Sequence, residues 1–150
     1  IGLIRDPRDV MVSFYHFQKD RKGRAVATFS EFIRDRTQGL ESWFTHYSSW
    51  RRHWALVVSY EALKADTFGE FNRILQVLGV TYPPDLIQTV ISRTTLESTR
   101  AAENTAGAVK PEARFARSGQ TKQWPAYFEP QDLAYYAELV KRYELDVYTK

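Results

Sequence analysis

An arginine and a serine near the start of the chain are spaced in a way that suits anion binding. Arg5 follows the apolar run of residues 1–4, where a strand is expected to end and a helix to begin. The carboxyl end of a strand that opens into a helix N-terminus is a common anion site in α/β proteins. Ser13 lies about two helical turns beyond Asp6, on the same face. The pair predicts a shared phosphate site; the alternative is a solvated arginine and a serine on the helix surface.

Two other segments have the chemistry of a nucleotide site. Tyr60 directly follows the mostly apolar run of residues 55–59, so it either faces a base or ribose or packs at the sheet edge. The segment RFARSGQ, residues 114–120, places Arg117 beside Ser118 and Gly119. Arginine grips phosphate bidentately, and glycine lets backbone N–H groups approach an anion. The alternative for this segment is a basic surface loop.

The remaining residue types do not point to acid–base or metal chemistry. The sequence provides no evident partner for His16, His46 or His53, so structural or surface roles are expected for them and no catalytic residue is assigned. No pattern of His, Asp or Glu has the spacing of metal ligands, so no metal is predicted. Neither GxxxxGK[ST] nor GxGxxG occurs in the sequence.

The elements that must position these residues alternate between strands and helices. Asp6 and Pro7 are typical of a helix start after the first strand, and Thr28 is typical of a second one. A second buried strand is expected within residues 55–61, and Gly79 is expected to end the helix that follows. This order predicts an α/β fold with parallel strands, although two strands are too few for a stable parallel sheet. Residues 97–126 have little apolar periodicity and predict a long loop.

Composition sets the outer limits of function. The chain has 150 residues, of which 43% are hydrophobic, 26% charged and 15% aromatic, as in one globular domain with a real core. The net charge of +3 suits an anionic ligand but is too small to indicate nucleic acid on its own. The absence of cysteine excludes disulfides and fits a reducing compartment. No apolar run approaches the roughly 18 residues of a membrane span.

Taken together, these segments resemble the cytosolic-type sulfotransferases, which transfer a sulfuryl group from 3′-phosphoadenosine 5′-phosphosulfate (PAPS) to a hydroxyl or amine. The segment RDPRDVMVSFYHF resembles the family's Arg-Asn-Pro-Lys-Asp-x-x-x-Ser-x-Tyr-His-Phe. By that resemblance, Arg5 and Ser13 bind the 3′-phosphate. SYEALKADTFGEFNRILQVLGV resembles the family's Tyr-Glu-Asp segment and its helix, which implies that Tyr60 contacts the adenine.

Two later segments complete the resemblance. RTTLEST matches a segment that borders the adenine, with Thr94 at the family's threonine and Leu96 where phenylalanine is frequent. FARSGQTKQW is similar to Phe-x-Arg-Lys-Gly-x-x-Gly-Asp-Trp, which implies that Arg117 and Gly119 wrap the 3′-phosphate. Ser118 stands at the usual lysine, so one charge on that phosphate is missing. Lys122 and Gln123 replace Gly-Asp, and the dimerisation pattern of some members is not found in PAYFEPQDLA.

The resemblance also indicates which parts of such an enzyme the chain carries. The family's phosphosulfate loop, of the Pro-Lys-Ser-Gly-Thr-Thr-Trp type, and its catalytic histidine are not found in these residues. Residues 1–150 therefore look like the carboxyl-terminal portion of a single sulfotransferase domain, with an incomplete P-loop-type parallel sheet and flanking helices. The resemblance implies a cytoplasmic enzyme with a small-molecule acceptor, active only in its full-length form. The oligomeric state is left open.

Two other functions remain as alternatives to this interpretation. One is a non-catalytic module that binds an adenine nucleotide or serves in interactions. The other is a helical nucleic-acid binder that uses the basic loops and an aromatic stripe at roughly helical spacing, Trp43, Tyr47, Trp50 and Trp54. The second is disfavoured because the aromatic residues repeat at core spacing and the charge is modest.

Overall fold

The computed structural model of the chain describes residues 1–23, 28–83, 85–106 and 118–145. By their contacts, the residues fall into two units, each described here by itself. We call Ile1–Arg5 with Trp54–Gly119 the strand unit. We call Asp6–His53 with Gln120–Lys150 the helical unit.

The strand unit contains two short strands and four helices within its described residues. They are β1 (Gly2–Ile4), β2 (Val57–Ser59), α4 (Tyr60–Ala65), α5 (Thr67–Val77), α6 (Leu86–Arg93) and α7 (Leu96–Ala106). The strands pair in parallel, with Ile4 opposite Ser59. Both predicted strands are thus confirmed, each at three residues.

Each strand buries one apolar side chain, and the two lie on opposite faces of the sheet. Ile4 pairs with Ser59 and Val58 pairs with Leu3, and paired residues share a face. Ile4 and Val58 are buried, whereas Leu3 is 66% exposed. The indole of Trp54 lies so close to Gly2 that a Cβ at this position would collide with it. A glycine is therefore required where the first strand begins.

The helices of the strand unit start and end at local signals. The Ser59 side chain caps α4 by accepting from Ala62 N–H, and Asp66 caps α5 by accepting from Gly69 N–H. Gly79 has a φ of +65°, so the expected end of α5 at this glycine is confirmed.

The prediction of one long loop over residues 97–126 is wrong in its first part. Leu96–Ala106 forms α7, which starts where the Thr95 hydroxyl accepts from Ser98 N–H. The segment lacks an apolar stripe, but its alanine, glutamate and arginine residues favour a helix on propensity alone. Residues 107–117 of the predicted loop lie outside the described residues.

The strand unit leaves much apolar surface exposed. None of the residues of α5 is buried, although Phe68, Phe71 and Leu78 repeat along one side of the helix. Leu86 and Val90 of α6 are each 46% exposed. Amphipathic helices normally bury such a stripe, whereas here much of it is exposed.

The helical unit is all-α within its described residues. It contains α1 (Pro7–His16), a π-helical turn (Phe17–Arg21), α2 (Phe29–Phe32), α3 (Leu40–Trp50), 3₁₀ turns (Arg51–His53 and Trp124–Ala126) and α8 (Pro130–Arg142). The predicted caps are confirmed: Asp6 accepts from Arg8 N–H, and Thr28 forms a capping box with Glu31.

The helical unit has a well-filled core. Aromatic and aliphatic side chains from α1, α2, α3 and α8 meet there, and these are Met11, Val12, Phe32, Ile33, Leu40, Phe44, Tyr47, Tyr136 and Leu139. Of the predicted aromatic stripe, Tyr47 is buried and stacks on Trp43 with ring centroids 5.3 Å apart. Trp50 is 51% exposed, so the stripe lies only partly in the core.

A buried carboxylate joins α2 to α8. Asp132 accepts from the Ser30 hydroxyl at 2.6 Å and from Arg34 Nη1 at 2.5 Å. Its second oxygen accepts from Glu129 N–H at 3.2 Å. Burial raises the pKa of this carboxyl, but the hydrogen bonds from Ser30 and Arg34 outweigh it and lower the pKa below 3.8.

In the part of the chain that the structure describes, no helix has the length and apolarity needed to cross a bilayer.

Candidate functional site

The parallel register of the strand unit brings Arg5 and Tyr60 to the same end of the sheet. Ile4 lies opposite Ser59, so the next residue of each strand leaves at the carboxyl edge. The Arg5 guanidinium lies over the Tyr60 ring, with Cζ 4.5 Å from the ring centroid. This cation–π contact orients an arginine at the sheet end that sequence analysis selected for anion binding.

A third segment, residues 118 and 119, reaches this pair, and we call it the glycine loop. The Tyr60 hydroxyl donates to Gly119 O at 3.2 Å, and Lys64 Nζ donates to the same oxygen at 2.5 Å. Gly119 has a φ of +63°, a left-handed conformation in which a side chain is strained. A Cβ at Gly119 would also lie 3.2 Å from Leu96 Cδ2. The left-handed backbone and the lack of room for a Cβ together explain why residue 119 is glycine.

Four of the residues singled out from sequence therefore lie together in the strand unit: Arg5, Tyr60, Leu96 and Gly119. They come from the end of β1, the start of α4, the start of α7 and the glycine loop. Ser118 is half-buried and directly precedes Gly119. Lys64 was missed because one lysine on a short helix carries no signal until the fold brings it to the loop.

Three of the predicted residues remain: Thr94, Ser13 and Arg117. Thr94 is exposed at the end of α6, where its hydroxyl donates to Val90 O at 2.8 Å. Ser13 is exposed on α1, in the helical unit. Arg117 lies outside the described residues. The roles assigned to these three residues stay predictions.

In the helical unit, Arg8 is held from several sides. Its Nη2 and Nε lie 2.7 and 3.0 Å from the two carboxylate oxygens of Asp6, in a bidentate pair. Its Cζ lies 4.0 Å from the Trp124 ring centroid and 4.9 Å from that of Tyr136. Burial alone would lower the pKa of Arg8. The hydrogen bond and the negative charge of Asp6 have the opposite effect, and the pKa of Arg8 is raised. Burial raises the pKa of Tyr136 to about 12, so the phenol stays neutral.

Asp9 has a larger part than its sequence position indicates. Beyond its place in the first turn of α1, its carboxylate accepts from three consecutive backbone N–H groups: Lys122 at 2.6 Å, Gln123 at 2.8 Å and Trp124 at 3.0 Å. Asp9 is 2% exposed. Lys122 has a φ of +57°, so this turn uses a left-handed conformation at the position where the resembling motif has glycine. The carboxylate therefore holds the turn that precedes the final helix.

One of the three histidines is the centre of a hydrogen-bonded chain. His16 Nδ1 lies 2.7 Å from Asp20 Oδ2, and Nε2 lies 2.8 Å from the Tyr127 hydroxyl. The Tyr127 partner was not evident from sequence because it is 111 positions away, whereas Asp20 lies four residues on, a spacing that brings side chains together on a helix that continues past His16. His46 and His53 are exposed, and each contacts the Trp50 ring.

The described residues contain no group of three or more His, Cys, Asp or Glu side chains placed to hold a metal ion. The groups that meet at the carboxyl end of the sheet are a guanidinium, an ammonium group and a tyrosine ring. An arginine, a lysine and a glycine loop beside a tyrosine ring can bind an anion next to a flat, apolar group.

Comparison with known proteins places these features in a family. A family model described as "Sulfotransferase domain" matches residues 1–145. Rat Sulfotransferase 2A2 is 30% identical over 142 residues, which cover 85% of this chain and 50% of the relative. Human Sulfotransferase 2A1 is 29% identical over 142 residues, with the same shares of each chain. The chain thus spans about half the length of these curated relatives.

Two solved structures share the fold. Mouse sulfotransferase SULT7A1, complexed with PAP, has a TM-score of 0.77 at 20% identity, covering 96% of this chain and 57% of that one. Retinol dehydratase, in a complex with retinol and PAP, has a TM-score of 0.73 at 24% identity, covering 96% and 47%. The predicted class, an incomplete P-loop-type α/β fold, is confirmed by these likenesses and by the parallel pair β1–β2.

Proposed function

This chain belongs to the sulfotransferase family, and we propose that it carries the part of the enzyme that binds the adenine and 3′-phosphate of PAPS. One observation carries the proposal: Arg5, Tyr60 and Gly119 come from three distant segments and meet at one end of the parallel sheet. The carboxyl edge of such a sheet is where α/β proteins bind nucleotides.

The donor set of the strand unit fits the nucleotide. Arg5 supplies a permanently charged guanidinium, and the glycine loop offers a backbone without a side chain in the way at Gly119. In this proposal Arg5, Ser13, Arg117, Ser118 and Gly119 bind the 3′-phosphate. Tyr60, Thr94 and Leu96 border the adenine, with the Tyr60 hydroxyl already committed to Gly119.

PAPS supplies the sulfuryl group when bound, and the residues of this chain hold and orient its nucleotide end. Transfer to a hydroxyl or amine also requires neutralisation of charge around the moving group and a base for the acceptor proton. The family segments for those tasks were not found among these residues. We propose that this chain alone is inactive and that the activity belongs to a longer, full-length enzyme.

Two findings support the dependence on further polypeptide. The chain spans about half the length of its curated relatives. The strand unit exposes the apolar side of α5 and, on a sheet with only two strands, the side chain of Leu3. The family match runs from residue 1 to 145, which supports a single sulfotransferase domain across both units. The proposed enzyme is cytoplasmic and its acceptor is a small molecule, the class to which retinol, bound by one structural neighbour, belongs.

Calorimetry with two nucleotides tests the binding proposal. The chain is titrated with adenosine 3′,5′-bisphosphate (PAP) and, separately, with 5′-AMP, which lacks the 3′-phosphate. We expect PAP to bind at least about tenfold more tightly, because losing hydrogen bonds to a charged group costs roughly 1.5–3 kcal/mol. Equal affinities for the two nucleotides would overturn the 3′-phosphate site.

A second measurement separates the enzyme from a non-catalytic nucleotide-binding module. The full-length enzyme is assayed for transfer of labelled sulfate from PAPS to a panel of phenols, alcohols and amines. Transfer by the longer protein and none by these 150 residues supports the enzyme proposal. Preferential PAP binding without transfer by any longer form supports the non-catalytic module instead.

A further inference from the structure

Lys64 places an ammonium group at the glycine loop, although no motif of the sequence singles it out. It is in α4, the short helix that Tyr60 begins. Its Nζ donates to Gly119 O at 2.5 Å, and the Tyr60 hydroxyl shares that acceptor at 3.2 Å. The ammonium group therefore lies beside Gly119, the residue next to Ser118 in sequence.

The charge of Lys64 remains available to a ligand. An ammonium group has three N–H donors, and Gly119 O accepts only one of them. The side chain is exposed, and none of the carboxylates in the described ranges forms an ion pair with it. A backbone carbonyl orients the ammonium group without cancelling its charge.

The cation also belongs to the same group of residues as Arg5. The Arg5 guanidinium lies over the ring of Tyr60, and Lys64 shares the hydrogen-bond acceptor of its hydroxyl. Tyr60 thus contacts Arg5 through its ring, and its hydroxyl shares the Gly119 carbonyl with Lys64. A guanidinium over the Tyr60 ring and an ammonium group on the carbonyl of a glycine with a left-handed φ are groups suited to a doubly charged phosphate.

We propose that Lys64 is a binding residue for the 3′-phosphate and provides the positive charge that is missing at Ser118. This inference rests on the proposed function, since it assigns a further ligand within the same nucleotide site. It also makes Lys64 a determinant of specificity, because its contribution is gained only with a nucleotide that carries a 3′-phosphate.

Substitutions at Lys64 test the proposal by calorimetry with PAP and 5′-AMP. K64M removes both the charge and the hydrogen bond, and K64Q removes the charge but keeps a donor for Gly119 O. K64R keeps the charge. We expect K64M and K64Q to weaken PAP binding by roughly 10- to 100-fold while 5′-AMP binding changes less than about twofold. We expect K64R to retain most of the PAP affinity.

Two further variants sharpen the comparison. The double variant K64M/S118K returns a lysine to the loop and is expected to recover at least half of the lost PAP binding on a logarithmic scale. K141M removes an exposed lysine of α8 and is expected to leave both affinities unchanged. Circular dichroism of each variant verifies that the helices are intact.

The outcomes distinguish the two proposals. If the unmodified chain binds PAP and 5′-AMP equally, the proposed function fails and Lys64 has no phosphate to bind. If the unmodified chain prefers PAP and K64M keeps that preference, the role of Lys64 is overturned while the proposed function stands. If K64M weakens both nucleotides equally, Lys64 only anchors the loop, and its role as a phosphate ligand is overturned.

Discussion

The backbone N–H of Lys122 donates to the carboxylate of Asp9 at 2.6 Å, across 113 positions of sequence. The next two backbone N–H groups, of Gln123 and Trp124, donate to the same carboxylate. One buried side chain of α1 thus determines the course of the turn that lies between the glycine loop and α8 in sequence. The aspartate that follows the Pro-Arg pair of the first motif has a structural role.

Replacement of Asp9 by asparagine is expected to destabilise the chain by roughly 3 kcal/mol, because the buried turn loses charge-assisted hydrogen bonds and faces an amide instead. Urea denaturation measures the free energy of unfolding. D35N is the matched control: Asp35 also accepts from backbone N–H groups of a turn, Thr37 and Gln38, but it is only half-buried, so a smaller loss is expected. Equal losses in the two variants would contradict the role of burial.

Replacement of Lys122 by glycine is expected to stabilise the chain by up to about 1 kcal/mol. The φ of +57° at Lys122 is strained for a residue with a Cβ, and relief of this strain exceeds the added entropy of glycine in the unfolded chain. Thermal denaturation of K122G measures the change. K122A removes the same side chain but keeps the Cβ, so it should show no such gain. A stabilising K122A would mean that the lysine side chain, not the backbone, is the source of strain.

The stability of the chain is expected to decrease in acid partly through Asp132. Hydrogen bonds from Ser30 and Arg34 lower the pKa of this carboxyl below 3.8, its value in an unfolded chain. A group with a lowered folded pKa stabilises the protein above its unfolded pKa, and this stabilisation is lost as the pH falls through the folded pKa. The free energy of unfolding should therefore decline as the pH falls below 3.8.

The D132N variant isolates this contribution. It should be less stable than the unmodified chain at neutral pH and should show a shallower decline in acid, since the titrating group is gone. Glu31 and Asp35, whose pKa values are also lowered by hydrogen bonds from Thr28 and Thr37 respectively, contribute to the slope that remains. Parallel acid profiles for the two proteins would show that Asp132 does not titrate in this range.

Replacement of Arg5 by alanine in the full-length enzyme is expected to weaken PAP binding by about 1.5–3 kcal/mol, the usual range for a hydrogen bond to a charged group. R5K keeps a charge but loses the flat guanidinium that lies over Tyr60, so an intermediate loss is expected. Calorimetry with PAP and 5′-AMP measures both variants. An unchanged PAP affinity in R5A would make Arg5 a surface residue with no part in the nucleotide site.

Local signals in the sequence were sufficient for many of the elements. Asp6 and Thr28 cap the helices that they were predicted to cap, and Gly79 ends α5, because capping depends on residues only a few positions apart. The two strands were predictable because a short apolar run that ends at a helix cap is typical of a buried strand in an α/β protein. The helix α7 was missed because it has no apolar stripe, and periodicity was the signal used.

In the candidate site, too, some residues could be identified from sequence motifs and others only from the fold. Arg5, Tyr60 and Gly119 were selected from their motifs, and the fold brings them together. Lys64 was not selected, because its importance arises from a carbonyl 55 positions away. Asp9 was not selected and His16 was given only a structural or surface role for the same reason, since each has a partner far along the chain.

The sequence by itself determined the family, the positions of the strands and the residue types suited to a phosphate, because each of these depends on short segments read in order. Only the tertiary structure decided that Lys64 joins Arg5 and Tyr60, and that Asp9 holds a turn near the far end of the chain. Such contacts depend on the parallel register of β1 and β2 and on the packing of α1, which determine the distances between segments that are remote in sequence.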